Sequence, residues 1–163
     1  EAMAPKLLFD ISKLDLDQIQ YTIEDIREIN LQRFEFEQLS GIAVLNSEKE
    51  FIVGVRHIAD DEFWVRGHVP GRPLFPGVMM VEAAAQLGAF YSKKVMGSDG
   101  FYGLAGINNA RFRGAVKPGT SLYILGKPQV LTPSRCVFRT QGVVEGQVVF
   151  ETEIFGTILP KGL

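Results

Sequence analysis

The longest apolar pattern in the chain runs from Val78 to Tyr91, where Glu82 and Gln86 are the only strongly polar side chains. A helix this apolar on all sides belongs in a protein interior. Pro76 has the fixed φ suited to a first helical position, and Gly97 can supply a left-handed cap. Glu82 and Gln86 are four residues apart and share one face. The pattern therefore predicts a buried helix with one polar pair.

Shorter patterns precede this helix. "IEDIREI" predicts a short amphipathic helix, capped by Thr22 with Asp25 three residues later. "SGIAVLN" and "KEFIVGVRHI" predict two strands of a hairpin around Ser47 and Glu48. The stretch from Arg33 to Phe36 reads as a connector, and "DEFWVRG" as a short strand or a loop.

After the helix, strand patterns alternate with turn signals. Glu145-Gly146 predicts a tight hairpin turn, and Pro118-Gly119 and Pro133-Ser134 are further turns. The predicted strands are "FYGLAGI", "ARFRGAV", "SLYILGKPQVLT", "RCVFRTQGVV" and "QVVFETEIFGTIL". Several long strands and one apolar helix predict an α+β fold, with an antiparallel sheet wrapped around the helix.

Length and composition change this picture little. The 163 residues predict a single domain over residues 1–163, in which residues 1–21 are an N-terminal extension resting on the surface. With 46% hydrophobic residues and a formal charge of -2, the chain has no overall basic bias towards nucleic acid. We see no signal peptide and no membrane span. The lone Cys136 is compatible with a reducing compartment, and we expect a cytoplasmic protein.

Two stretches carry a family resemblance. "GHVPGRPLFPGVMMVEAAAQ", which begins at Gly67, resembles the signature of the 3-hydroxyacyl-[acyl-carrier-protein] dehydratases, which have the hot-dog fold. "LAGINNARFRGAVKPG", from Leu104 to Gly119, resembles the second block of that family. The resemblance extends roughly over residues 23–158. A Gly-His-x-Pro-Gly block followed by a Pro-Gly helix start is a specific signal.

The resemblance implies a lyase that dehydrates (3R)-hydroxyacyl thioesters to trans-2-enoyl thioesters in fatty-acid biosynthesis. That reaction needs a base for the C2 proton and an acid for the C3 hydroxyl, and by resemblance these are His68 and Glu82. Desolvation favours the neutral form of a carboxyl group, which suits an acid on an apolar helix. The Gly77 N–H, at the start of the helix, would bind the thioester carbonyl.

The resemblance also implies the rest of the site. We assign Gly77, Val69, Gln86, Phe75 and Pro76 to substrate binding, and we expect Gln86 to orient Glu82 or to bond across an interface. No cofactor and no metal are expected. Val69 replaces an aromatic residue often found after the histidine. The early Pro-His-Arg-aromatic-Pro block of the family is replaced by residues 31–35, "LQRFE", which leaves acyl-chain preference open.

The expected partners follow from the same resemblance. The substrate would be an acyl thioester on acyl carrier protein or coenzyme A, and the assembly a homodimer, possibly a trimer of dimers, whose sites combine His68 and Glu82 from different chains. A basic stretch of Arg111, Arg113 and Lys117 is either a solvated strand face or a dock for an acidic carrier. Two alternatives stay open: a hot-dog protein that binds acyl chains with little or no catalysis, and an acyl thioesterase.

Overall fold

The computed structural model describes residues 5–98 and 100–159, which form one sheet and two α-helices. The helices are α1 (Ile23–Ile29) and α2 (Gly77–Met96). The strands are β1 (Gly41–Asn46), β2 (Phe51–His57), β3 (Phe101–Phe112), β4 (Ser121–Leu131), β5 (Arg135–Val144) and β6 (Gln147–Leu159).

The six strands form one antiparallel sheet in the order β1-β2-β4-β5-β6-β3. Both predicted hairpins are present: β1 pairs with β2, and β5 turns into β6 through Glu145 and Gly146, which both have positive φ. The crossover from β2 to β3 contains α2. The predicted α+β fold, a sheet with one long central helix, is confirmed.

Helix α2 carries apolar side chains on most of its sides, and it buries them by packing on the inner face of the sheet. Leu87 and Phe90 are fully buried, and the ring of Tyr91 meets that of Phe138 edge-on at 5.5 Å. Gly54 permits a close approach, since a Cβ there would lie 2.7 Å from Leu87 Cδ1. The predicted central helix is therefore the core of the protein.

The ends of α2 largely follow the sequence signals. Gly97 adopts a left-handed conformation with a φ of 64° and ends the helix, as predicted. Lys93 and Lys94 lie in the last turn, where the helix dipole favours cations. Pro76 was predicted as the first helical residue, but it is the extended N-cap residue, and Gly77 begins the helix.

One other expectation needs correction. The stretch "FYGLAGI" and the first three residues of "ARFRGAV", predicted as separate strands, belong to the single long strand β3, and residues 113–116 lie beyond it. The register of β3 against β6 shifts twice. Irregular pairing of this kind absorbs extra residues without ending the strand. The predicted connector at residues 33–36 contains a 3₁₀ turn, Phe34–Phe36. Residues 58–76, between β2 and α2, contain turns, so "DEFWVRG" forms a loop and not a strand.

The N-terminal segment packs on the outer face of the sheet. Its apolar side chains contact a second buried cluster formed by Ala43, Val53, Leu125 and Val143. Phe9 stacks near Phe51 at 4.7 Å. The contacting side chains of the segment are Leu7, Leu8, Phe9, Ile11, Leu14 and Leu16. We call residues 5–20 the outer arm.

In the part of the chain that the structure describes, neither α-helix is both long enough and apolar enough to cross a bilayer. In residues 5–98 and 100–159, no group of three or more His, Cys, Asp or Glu side chains is placed to hold a metal ion.

Candidate active site

His68 lies in the exposed loop that leads to α2, and its ring has a defined orientation. The His68 N–H donates to the Trp64 carbonyl at 2.8 Å, and the Leu74 N–H donates to the His68 carbonyl at 2.8 Å. The ring Nδ1 lies 2.7 Å from the Leu74 carbonyl oxygen. Because a carbonyl only accepts, Nδ1 carries the proton and Nε2 has a free lone pair. Nε2 has no hydrogen-bond partner among the described residues, so it can act as a base.

Glu82 lies one and a half turns into α2 and is partly exposed. Gln86, which is 2% exposed, donates from Nε2 to Glu82 Oε1 at 2.8 Å. The same Nε2 donates to the Phe36 carbonyl at 2.6 Å, and the Gln38 N–H donates to Gln86 Oε1 at 2.9 Å. Hydrogen bonds thus hold both the oxygen and the nitrogen of the Gln86 amide, and the amide positions one carboxylate oxygen of Glu82. The expectation that Gln86 orients Glu82 fits these contacts.

The start of α2 presents unpaired donors. Pro76 makes no side-chain cap, and the N–H groups of Gly77 and Val78 have no partner among the described residues. Such groups carry the positive end of the helix dipole and suit an oxygen with developing negative charge. The Phe112 ring closes one side of this helix start, since a Cβ on Gly77 would lie 2.7 Å from Phe112 Cε1. Glycine at position 77 therefore lets the Phe112 ring lie close to the helix start, next to these N–H groups.

The other predicted substrate residues divide by burial. Val69 is exposed in a turn with Arg72, following a cis His68–Val69 peptide bond. Phe75 is 3% exposed and packs against the Trp64 ring at 5.5 Å, and Pro76 is also buried. In the single chain these two residues shape the loop and the helix start. Their contact with substrate stays a prediction.

Within one chain the two proposed catalytic groups are not bonded to each other. Among the described residues, no hydrogen bond or ion pair joins the His68 ring to the Glu82 carboxylate. Each group instead has its own support: His68 is held by its loop, and Glu82 by Gln86. The structure thus offers an oriented imidazole, an oriented carboxyl group and, between them in sequence, N–H donors without a partner among the described residues.

Two contributors were missed by sequence reasoning. Gln38 holds Gln86 from 48 residues away, and Phe112 covers Gly77 from the far end of β3. Phe112 lies within the second family block, which was the only sequence signal for it. Nothing local in the sequence marks Gln38, because its contact with Gln86 is made only when the chain folds.

The altered early block forms part of an open groove beside this site. Phe34 is 85% exposed, and its backbone φ is 58°, a value that residues other than glycine rarely adopt. The residues that line this groove include Phe34, Glu35, Asp61 and Phe63. The position that is proline in the family pattern therefore contributes a carboxyl group to this surface.

The chain is similar in sequence to a known protein family and to several of its members. The FabA-like domain family matches residues 30–153. The chain is 35% identical to the 3-hydroxyacyl-[acyl-carrier-protein] dehydratase FabZ of Halalkalibacterium halodurans, over 84% of this chain and 98% of that protein. It is 33% identical to FabZ of Desulfotalea psychrophila, over 83% of this chain and 91% of that protein.

A solved structure agrees on the fold. The dehydratase heterocomplex ApeI:P of Xenorhabdus doucetiae aligns with a TM-score of 0.71 at 15% identity, over 83% of this chain and 91% of the matched chain. The predicted hot-dog fold and the predicted dehydratase family are both confirmed. The chain belongs to the FabA-like domain family, and within it to the 3-hydroxyacyl-[acyl-carrier-protein] dehydratases, which are hydro-lyases.

Proposed function

We propose that this protein dehydrates (3R)-3-hydroxyacyl thioesters to trans-2-enoyl thioesters, with His68 as the base and Glu82 as the acid. One observation carries the assignment of the base. The Leu74 carbonyl fixes the His68 proton on Nδ1 and leaves the lone pair of Nε2 free. Dehydration of these thioesters is the reaction named for the family's members in fatty-acid synthesis.

The residues divide the reaction between them. His68 Nε2 takes a proton from C2, and the electron pair of that C–H bond forms the C2–C3 double bond. Glu82, in its protonated form, gives its proton to the C3 hydroxyl, which leaves as water. Charge that develops on the thioester oxygen is stabilised by the free N–H groups of Gly77 and Val78. Proton exchange with solvent then restores both groups.

The site is completed by a second copy of the chain. Among the described residues no hydrogen bond or ion pair joins His68 to Glu82, and β3 is an edge strand with Leu104 and Ile107 exposed. On the start of α2, Val78 is 72% exposed although it is apolar. Burying these surfaces in a two-fold dimer would remove an exposed sheet edge and bring His68 of one chain to Glu82 of the other.

The substrate is carried by acyl carrier protein. The curated relatives are named for thioesters on this carrier. In this chain Arg111, Arg113 and Lys117 are exposed at the end of β3 and just beyond it, close in sequence to Phe112 at the helix start. Arg113 is ion-paired with Glu151, so Arg111 and Lys117 contribute most of the positive charge there. That charge would attract an acidic carrier or the phosphates of coenzyme A. We place the reaction in the cytoplasm, consistent with a single buried thiol, Cys136.

Mass spectrometry of the products tests this function. The protein is incubated with 3-hydroxyacyl and trans-2-enoyl thioesters, on carrier protein and on coenzyme A. We expect interconversion by loss or gain of one water, with the thioester intact. Release of free acid would indicate a thioesterase instead, and unchanged thioesters on both carriers would indicate an acyl-binding protein. His68→Ala serves as the control for traces of a contaminating enzyme.

A further inference from the structure

A second polar cluster lies behind the proposed acid. Arg56 and Glu62 form an ion pair, and both side chains are only 11% exposed. Such a pair loses much hydration, so burial by itself gives it little stabilising value. Its hydrogen-bond partners lead towards both halves of the site. We call Gln38, Arg56 and Glu62 the polar bridge.

One end of the polar bridge reaches the acid. Arg56 Nε donates to Gln38 Oε1 at 3.2 Å, and Gln38 Nε2 donates to the Glu35 carbonyl at 2.7 Å. The Gln38 N–H in turn donates to the Gln86 amide, which positions Glu82. Because Gln38 is 1% exposed, these donors and acceptors cannot exchange freely with water.

The other end reaches the loop of the base. Glu62 accepts from the Trp64 indole N–H at 2.8 Å and from the Ala59 N–H at 2.9 Å. The Trp64 carbonyl accepts the His68 N–H. The Arg56 guanidinium also lies over the Phe75 ring, 5.6 Å from its centre, just before the helix start. A single ion pair therefore contacts the supports of the acid, the base and the N–H donors.

We propose that Arg56 and Glu62 are positioning residues for the dehydration, and that they hold Glu82 and His68 in place through Gln38, Gln86 and Trp64. The inference rests on the proposed function. Neither residue touches substrate in this account. Their effect is on the geometry of groups that do, and a shift of about 1 Å in such groups can lower turnover roughly 100-fold.

Arg56→Lys and Glu62→Gln test the proposal. Lysine keeps a charge opposite Glu62, but a single ammonium cannot reproduce the donors that Arg56 directs to Gln38, to Glu62 and to the His57 carbonyl. We expect Arg56→Lys to remain folded and to lose about 10- to 100-fold in kcat, with KM within about twofold of wild type. Glu62→Gln keeps the shape but leaves Arg56 unpaired, and it should lose kcat at least as strongly.

A matched control separates positioning from stability. Phe9→Ala weakens packing in the outer arm, on the opposite face of the sheet, and should lower the melting temperature without changing kcat. Hydration of a trans-2-butenoyl thioester on carrier protein is followed for all variants and for His68→Ala. Both bridge variants and the control are compared at a temperature where each is fully folded by circular dichroism.

The outcomes are distinct. A lower kcat with unchanged KM in the bridge variants, and not in Phe9→Ala, supports the proposal. Wild-type kcat in Arg56→Lys and Glu62→Gln, with His68→Ala inactive, overturns the bridge and leaves the proposed function standing. A changed KM at constant kcat, or an equal loss in Phe9→Ala, also overturns the bridge. Wild-type activity in His68→Ala overturns both.

Discussion

The two faces of the sheet are built on different principles. On the inner face, α2 packs through Leu87 and Phe90, but buried polar groups such as Gln38 and Gln86 interrupt the apolar layer. On the outer face, the arm covers an almost wholly apolar cluster. Hydrogen bonds fasten it to the sheet at two places, through Gln141 to Leu8 and Lys6 and through Gln20 to Ile42 and Leu45. The outer face is packed for stability. The inner face contains polar groups that cost desolvation, and these support the proposed catalytic residues.

The largest expected effect comes from the inner face. His68→Ala and Glu82→Gln should each lower turnover by about 10²- to 10⁴-fold, the usual contribution of a general base or acid. The melting temperature should stay close to wild type, because His68 is exposed and Glu82 is partly exposed. Steady-state hydration rates and circular dichroism measure the two properties. A folded His68→Ala with the wild-type rate would contradict its role as base.

The outer face should give the reverse result. Phe9→Ala removes a half-buried ring that stacks near Phe51, and should lower the free energy of unfolding by about 1–2 kcal/mol, since burying a whole Phe side chain contributes roughly 1.5–3 kcal/mol. Turnover below the melting range should be unchanged. Urea unfolding and the hydration assay check this pair. A large loss of turnover in the folded variant would show that the two faces are not separate.

Arg27 of α1 and Glu37 form a charge pair whose contribution to stability should depend on pH. Arg27 donates to Glu37 at 2.7 and 2.8 Å, and these hydrogen bonds lower the pKa of Glu37 from its ordinary value. A lowered carboxyl pKa stabilises the fold above the unfolded value of about 4.3, and this contribution is lost as pH falls through the folded value.

Glu37→Gln should therefore reduce stability by about 0.5–1 kcal/mol at pH 7, and by progressively less below about pH 4. Turnover should change little, because Glu37 does not contact Gln86 or Glu82. Urea titrations of the variant and the wild type at pH 7 and pH 3.5 measure the difference. A deficit that grows with acid would have the wrong sign for a carboxylate stabilised by Arg27.

Local patterns account for most elements of the inner face. The apolar run with Pro76 and Gly97 predicts α2, and the Thr22 and Asp25 capping box at the start of α1 is present as predicted. The division of β3 into two strands was wrong, because its polar middle, around Asn108 and Asn109, reads as a break although the pairing with β6 continues past it. A bulge depends on the partner strand, which local patterns do not contain.

The polar contacts were the least predictable part. The apolar residues of the arm indicate packing, but they do not say which face it covers. The His68 and Glu82 assignments came from a family motif, and their orientation by Leu74 and Gln86 is local in sequence. In contrast, Arg56 hydrogen-bonds to Gln38, which is 18 residues away in sequence, and Gln38 hydrogen-bonds to Gln86, which is 48 residues away. Their role follows from the fold alone.

The most direct test of the account is complementation between two inactive variants. His68→Ala and Glu82→Gln are unfolded, mixed in equal amounts and refolded together. In a two-fold dimer with shared sites, about half the dimers are mixed, and one of the two sites in each is intact. Shared sites should therefore restore about a quarter of wild-type activity. Mixed dimers confirmed by native mass spectrometry but without recovered activity would contradict a site that joins His68 of one chain to Glu82 of the other.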